Sequence, residues 1–566
     1  MPDSGSEPKA LGSLLPPIYL DLISIGLCAS QILTGAQVER CRCRRLYYYD
    51  SSRSRVANAS LHPPIHSDGP DARAAGTMAS VLLDRRAYID GRTNGTTAYS
   101  KTMGGHSISV TFWLQRPPRV SCFSVYCPDL NPGDFAREPV IMATEDDLVL
   151  LCVTLDTQPI IADAQYDRFH YFIYQAGTPP SLELLNHLGH SSCIFPSSAV
   201  GLLRCRTHPE LDDSLPTLRS HGSKDNGFYI AATLRYASGM DPGHYHLHTY
   251  DSRTKEWATK TALLRQEQEL GHHSSHCSTK VIVIGGKAGT MGWIDLNEGI
   301  LFCDVLLQDH TVPLCHIALP EPLVPDRKLP RDIALIRGRI KYVELQTHVL
   351  RPRSAIGGSF IVDGWTAATW SRKATTTKSL EKGSWQPICK VSASQISTDK
   401  KKSAQFDELL PKLLDDQGIS QPTLERLYTA HPMLSLHQDN LVYFMTKIDP
   451  PNGKKAWVLA VDTKKKTLQG VAEVDVPRTL GMLFGYMCSR ISEHLHTSPG
   501  GITRIKYHLA KIPKSNVIAC EKVPTDVYEM LALLTKKNEN KEKKAKDRQN
   551  ARTRPHPYLL CCVLAQ

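Results

Sequence analysis

No uninterrupted apolar run long enough to cross a bilayer stands out in these 566 residues. The nearest contender, Leu14 to Leu33, is broken by Asp21, Ser24, Ser30 and Gln31 and has no basic stretch before it. Neither a membrane span nor a signal peptide is expected from it. Dense, evenly spaced cysteine is also missing: the 16 cysteines are scattered, several within apolar text (Cys152, Cys303, Cys488). That excludes a small secreted disulfide scaffold and points to reduced core thiols in an intracellular protein, cytoplasmic or nuclear. Catalytic signatures are absent as well. No GxSxG elbow, HExxH helix, Walker loop, GxGxxG turn or Cys/His pair at a catalytic spacing occurs, so catalysis is the minority expectation. Cys561-Cys562 lies too far from the last residue for a CaaX prenylation signal. The formal net charge of +11 is concentrated toward the two ends and describes tails more than the fold.

What is present is strand text. Lys280 to Leu319 reads KVIVIGGKAGTMGWIDLNEGILFCDVLLQDHTVPLCHIAL, four strand-like runs separated by three turn signals. Val281 to Ile284 form a β-branched run with the pattern of a strand buried on both faces, and Gly285-Gly286 supply the positive φ that ends it. Trp293 to Leu296 start a second strand, Asn297-Glu298-Gly299 turn the chain, Ile300 to Leu306 make a third, and Cys315 to Leu319 a fourth. A four-stranded antiparallel meander follows, one blade of a propeller or one layer of a sandwich, unable to close its own edges.

The rest of the chain divides around it. Residues 1–77 carry Pro16-Pro17, the CRCRR cluster at Cys41 to Arg45 and Ser/Arg/His/Pro-rich text without a period of 2 or 3.6, and are read as a disordered leader. Met78-Ala-Ser is read as the start of the folded chain, with the leader a product of gene prediction. Strand signals recur at Ile108 to Trp113, Val120 to Tyr126, Asp147 to Leu155, Tyr171 to Tyr174 and Phe228 to Leu234. Tyr245 to Trp257 and Ala456 to Leu468 read as hairpins whose turns are held by Asp251 and Asp462, a weak internal repeat. Ile333 to Leu345 reads as a strand pair turning at Gly338, and Phe360 to Trp370 as a further strand. The helical spacing of Phe406, Leu409, Leu410, Leu413 and Leu414, followed by Thr423 to Tyr428, predicts an inserted pair of short helices. Lys536 to Arg554 is a basic, nearly apolar-free tail, a solvated helix or disordered chain, with nuclear import or DNA contact as the sharper alternative.

Three clusters invite chemistry. The Gly285 to Gly289 loop precedes a strand and no helix N-terminus, so it reads as a hairpin turn and not a phosphate cradle. His272, His273, His276 and Cys277 contain zinc-ligand types without a second ligand group at a definite spacing, the composition of a polar loop. Asp295 and Asp304 flank the central hairpin and would form an acid/base pair only if they converged; turn support and sheet-edge placement are the commoner roles.

Two resemblances rest on specific text. LLDRRAYI (Leu82 to Ile89), GWIDLNEGILFCDVL (Gly292 to Leu306), RDIALIRGRIKYVEL (Arg331 to Leu345) and TAHPMLSLHQDNLVYFM (Thr429 to Met445) are similar to the plant family called domain of unknown function 1618. The similarity runs in order over residues 78–478 and implies a β-rich body with no established activity, ligand or catalytic residue. GGITRIKYHLAKIPKSNVIACEKVPTDVYEML, from Gly500 to Leu531, resembles the BED-type zinc finger of plant hAT-like transposases. That resemblance makes His508 and Cys520 the last two zinc ligands, and Arg504 and Lys506 the basic face toward DNA phosphate. The family's preceding CxxC is missing: Arg490 and Glu493 stand in its place, only Cys488 is near, and His494 or His496 would have to substitute. Two ligands give too little binding energy to fold such a finger, so the segment reads as truncated and transposon-derived.

The expected protein is therefore mainly β, a β-propeller-like body (alternatively a β-sandwich) over 78–478 with a short helical insertion. A truncated finger-like segment at 485–534 and a basic tail at 535–566 follow. Its expected function is a non-enzymatic interaction or scaffold module for an unidentified protein partner. Zinc-dependent DNA binding through the C-terminal segment and an unrecognised enzyme are the alternatives. Zinc is the one cofactor in view.

Overall fold

The computed structural model describes residues 78–156, 168–185, 199–205, 227–237, 243–265, 276–350 (except 326 and 328), 361–374, 383–398, 403–414, 420–448 (except 423), 455–475 and 486–495. The expected leader, the finger-like segment from 496 onward, the basic tail, and His272 and His273 lie outside them. The chain clusters into two compact units, Met1–Arg92 with Thr97–Leu495, and Thr93–Thr96 with His496–Gln566. Only Thr93–Thr96 of the second is described, a turn in which Asn94 Oδ1 accepts the Thr96 N–H at 2.7 Å.

The first unit is mainly β. Blade I contains β1 (Val81–Asp84), β2 (Tyr88–Ile89), β3 (Ala98–Lys101), β4 (Ser107–Trp113) and β5 (Val120–Tyr126). Blade II is the meander β6 (Val140–Glu145), β7 (Leu148–Thr154), β8 (Phe169–Gln175) and β9 (Ser181–Leu184). Blade III is β10 (Val200–Cys205), β11 (Phe228–Tyr236), β12 (His244–Asp251) and β13 (Glu256–Leu264). Blade IV is β14 (Lys280–Gly285), β15 (Thr290–Asp295), β16 (Gly299–Asp304) and β17 (Thr311–Ala318), and its last strand pairs parallel to β13. Blade V is β18 (Arg331–Ile336), β19 (Arg339–Leu350), β20 (Ile361–Lys373) and β21 (Gln386–Ser392). After it come β22 (Ser397–Thr398), helix α1 (Ser403–Leu409) and a hairpin of β23 (Lys412–Leu414) and β24 (Ser420–Pro422). Blade VI is β25 (Tyr428–Leu434), β26 (Leu441–Lys447), β27 (Lys455–Asp462) and β28 (Thr467–Asp475), with β22 against its outer strand. A final strand, β29 (Tyr486–Ser489), returns to pair antiparallel with β1 of blade I.

The hydrophobic clusters show how these sheets stack. Each large cluster lies between two successive blades: I with II, II with III, III with IV, IV with V, and V with VI. A sixth joins VI back to I through Met433, Leu441, Tyr443 and Val458 against Leu82, Tyr486 and Cys488. The six blades thus form a closed ring, the propeller-like body expected. This arrangement explains the continuous apolar strands, because a central strand is covered on both faces. Along β7, Val149, Leu151 and Val153 pack toward blade I while Leu148, Leu150 and Cys152 pack toward blade III, the two-residue period of a strand serving two cores.

Several expectations are refined. The four strands of 280–319, the Asn297-Glu298-Gly299 turn, and positive φ at Gly285 (78°) and Gly286 (76°) all form, the fourth strand beginning at Thr311 and not at Cys315. β14, however, is not buried on both faces: only Ile282 is buried, because this is the first strand of its blade, beside β10 and β18. Asp251 and Asp462 hold their hairpin turns as expected, accepting the N–H of Arg253 at 2.8 Å and of Lys464 and Lys465 at 3.1 and 2.9 Å. The pair of inserted helices is corrected to one. α1 stops at Leu409, two residues before Pro411, and Leu413 and Leu414 enter a strand. Residues 424–427 turn so that Leu427 can enter the core between blades V and VI and Tyr428 can start β25, a long-range pairing that outweighs local helical spacing. The fold also runs past residue 478, to Leu495. Nine described cysteines carry free thiols, and no helix among the described residues is long and apolar enough to cross a membrane.

Leu82 is fully buried in the cluster that closes the ring. Leu82→Ala is expected to lower the free energy of urea unfolding by about 2–5 kcal/mol, whereas Tyr99→Ala, at a side chain that is 68% exposed, should change it by less than about 0.5 kcal/mol.

Candidate functional site

In a meander blade, the turns from first to second strand all emerge on one face, and the second-to-third turns and inter-blade links on the other. On the first face a recess of about 250 Å³ is lined by Ala79, Asp146, Arg337, Leu436, His437, Arg490 and Glu493. These residues come from four blades: the β6–β7 turn, the β18–β19 turn, the β25–β26 turn, and the chain ends next to β1 and β29. Ring closure brings them together.

The arginines are anchored on the β25–β26 turn. Arg337 Nη1 lies 3.3 Å from Asp439 Oδ2 and its Nη2 donates to the His437 carbonyl at 3.3 Å, while Arg490 Nη2 donates to the Leu436 carbonyl at 3.5 Å. Lys341, 6% exposed, donates to the Asp439 main-chain oxygen and stands 3.5 Å from its carboxylate. Burial lowers the Lys341 pKa, and Asp439 pulls the other way. The recess lining thus holds two cations (Arg337, Arg490) and two carboxylates (Asp146, Glu493), with the Lys341–Asp439 pair beside it. A surface of this kind offers donors and acceptors in comparable number.

The backbone gives an independent sign that these side chains matter. Arg337-Gly338 is a two-residue hairpin turn with φ of 48° and 70°, a geometry that suits Asn-Gly and disfavours a long L side chain. Asp146, also on the recess, sits at φ 46°. Left-handed backbone at such residues costs on the order of 1 kcal/mol and concentrates at functional surfaces.

On the opposite face the structure joins residues that sequence reasoning considered apart. His276, just before β14, and Asp295, at the end of β15, come together with Glu298 of the β15–β16 turn, one ligand-type atom from each lying within 4.8 Å of the others. His276 is 7% exposed and Asp295 4%. Asp295 accepts the Cys277 N–H on Oδ2 at 2.9 Å and the Asn297 N–H on Oδ1 at 2.8 Å, which folds the segment entering blade IV onto the turn. Burial holds the His276 imidazole well below the usual histidine range, against the opposing pull of Asp295. His316 of β17 is close enough for its charge to depress His276 further. Its own pKa is lowered by burial, opposed by a hydrogen bond with the Glu298 backbone. A Cβ at Gly299 would lie 2.4 Å from His316 Nε2, so glycine there permits the ring's close approach.

Asp304 does not join Asp295. The cross-strand pairs Thr290–Asp304 and Asp295–Gly299 put them at opposite ends of the β15–β16 hairpin, about 17 Å apart along the strand, and Asp304 instead accepts the Thr290 hydroxyl at 2.5 Å. The two carboxylates stay separate, Asp295 in the turn-supporting role that was the commoner expectation. The Gly285 to Gly289 loop forms the β14–β15 turn. Cys488, the one cysteine near the place of the CxxC, pairs with Leu82 inside the body, where burial pushes its thiol up to about 12. Arg504, Lys506, His508 and Cys520 lie outside the described residues. Sequence reasoning missed the recess residues Arg337 and Arg490; the unusual Arg-Gly turn was the one available signal for the first.

Comparison with known proteins finds the two families that the sequence resembles. A family described as "Protein of unknown function (DUF1618)" matches residues 293–443, and a "BED-like zinc finger" family matches residues 494–533. No curated protein matches the chain. Among solved structures, it is similar to an α-L-arabinofuranosidase of Fusarium graminearum in complex with an iminosugar inhibitor (10% identity, 60% of this chain and 80% of that one, TM-score 0.26). It is also similar to an α-L-arabinanase of Penicillium chrysogenum complexed with arabinobiose (9%, 72% and 100%, TM-score 0.24). A hydrazine synthase of Kuenenia stuttgartiensis is a third (11%, 70% and 81%, TM-score 0.24). Likeness at this level carries no argument about activity.

If Arg337 is kept for its side chain, relieving its backbone should stabilise the fold. Arg337→Asn is expected to raise unfolding free energy by up to about 1 kcal/mol in a urea titration, an uncommon sign for a substitution that removes an ion pair.

Proposed function

We propose that the propeller-like body is a non-enzymatic interaction module that takes an extended protein segment at the recess between Arg337 and Arg490. The observation that carries this reading is the recess itself: four blades contribute to it, and two of its residues hold strained backbone conformations. Its balanced charge favours a polypeptide. Nucleic acid, with a phosphate at every step, calls for a net excess of cations. The arginine pair favours a segment that carries a carboxylate. The nine free thiols of the described residues, five of them buried, support an intracellular setting.

A random-peptide phage library selected on the full chain tests this. Selected peptides are expected to carry Asp or Glu and to bind Arg337→Glu/Arg490→Glu at least about tenfold more weakly than the parent, with Arg253→Glu on the β12–β13 turn unchanged. Peptides that bind the double variant as well as the parent would refute the reading.

A second reading is favoured by the BED-like match at 494–533: DNA contact through the segment holding Arg504, Lys506, His508 and Cys520. We infer a transposon-derived origin for this segment, joined to a plant-type body. Full chain should then retain duplex DNA with an affinity that falls steeply with salt, and Arg504→Ala/Lys506→Ala should flatten that slope by about 2. A slope unaltered by the double substitution would remove the segment from the DNA contact.

A further inference from the structure

We propose that His276, Asp295 and Glu298 form a divalent transition-metal site, suited to Zn²⁺, that staples the entry of blade IV to its β15–β16 turn. The donor set is one imidazole nitrogen and two carboxylates, drawn from two segments 19 residues apart in sequence and brought within 4.8 Å by the β14–β15 register.

The tautomer of His276 is set by its surroundings. Its Nε2 lies 2.9 Å from the Trp293 carbonyl, which can only accept, so Nε2 carries the proton. Nδ1 then presents a lone pair, and it is buried with no hydrogen-bond partner. A buried imidazole acceptor left this way costs desolvation energy without return. A cation at Nδ1 would satisfy it, and a ligating histidine that donates its other N–H to a backbone carbonyl is the usual outer-shell arrangement of a metal site. The neutral state of this ring is the one that ligates.

The carboxylates fit the same role. Asp295 is oriented by backbone N–H groups on both oxygens, each of which keeps a lone pair for coordination. Two carboxylates with a neutral imidazole balance the charge of a divalent ion. Ligand atoms around tetrahedral zinc stand about 3.4 Å apart, so three atoms within 4.8 Å need only small side-chain rotations to converge. His316 stands close enough for its charge to act on His276. The mixed nitrogen and oxygen set favours zinc over magnesium or calcium, which take oxygen ligands.

The experiment must separate this site from zinc held by the C-terminal segment. Full chain carrying His508→Ala and Cys520→Ala is stripped with chelator, equilibrated with Zn²⁺ at fixed free concentration, and its bound metal counted by mass spectrometry after gel filtration. One equivalent is expected. Adding Glu298→Gln, in the β15–β16 turn, should weaken retention at least about tenfold, and His276→Gln should do the same, while circular dichroism keeps its β signal. Retention of no zinc by the His508→Ala/Cys520→Ala chain, or equal retention with and without Glu298→Gln and His276→Gln, would overturn the site.

Discussion

The pairing of β29 with β1 is the constraint on which the rest depends. Each described blade is covered on both faces, and blades II to V obtain that cover from their sequence neighbours. Blades I and VI obtain theirs only because Tyr486–Ser489 returns across nearly the whole folded chain to pair with Val81–Asp84. The Tyr486 phenol and Cys488 thiol are held protonated by the burial that this return imposes. Closure also delivers Arg490 and Glu493 to the recess, so the candidate binding surface exists only in the closed ring. The strand that closes the ring, Tyr486–Ser489, stands just before the segment that the BED-like finger family matches at 494–533.

The ring then has two chemically distinct faces. On one, first-to-second strand turns bring mixed charges around a recess, with Arg337 holding a turn conformation that glycine or asparagine would adopt at lower cost. On the other, inter-blade links and second-to-third turns meet, and there a histidine and two carboxylates are drawn together at the start of blade IV. Arg331 of the next blade fixes the same turn, donating to the Leu296 carbonyl at 2.6 Å while paired with buried Glu344 at 3.0 Å. The first face carries the recess, and on the second the Asp295 and Arg331 contacts hold neighbouring segments in place.

Much of the fold was legible in the sequence, and the reasons are local. β-branched runs punctuated by glycine, asparagine and aspartate marked the strands of blade IV and the hairpins at Asp251 and Asp462, because turn chemistry acts over a few residues. Burial of β14 was misjudged because nearness to the ring's centre is a property of the assembled blades. The second helix was misread because Leu427 and Tyr428 answer to partners far along the chain. The sites were less legible still. His276 and Asp295 were both noticed, yet what joins them is strand register, and Glu298 looked like a turn residue alone. Arg490 could be placed only once the ring was closed.

Hydrogen–deuterium exchange of the full chain tests closure most directly. If β29 completes blade I, those amides of Tyr486 to Ser489 that bond β1 exchange in step with the slow amides of Leu148 to Thr154 in β7. If those amides instead exchange within seconds while β7 stays protected, the ring is open, and the recess that Arg490 helps to form is lost with it.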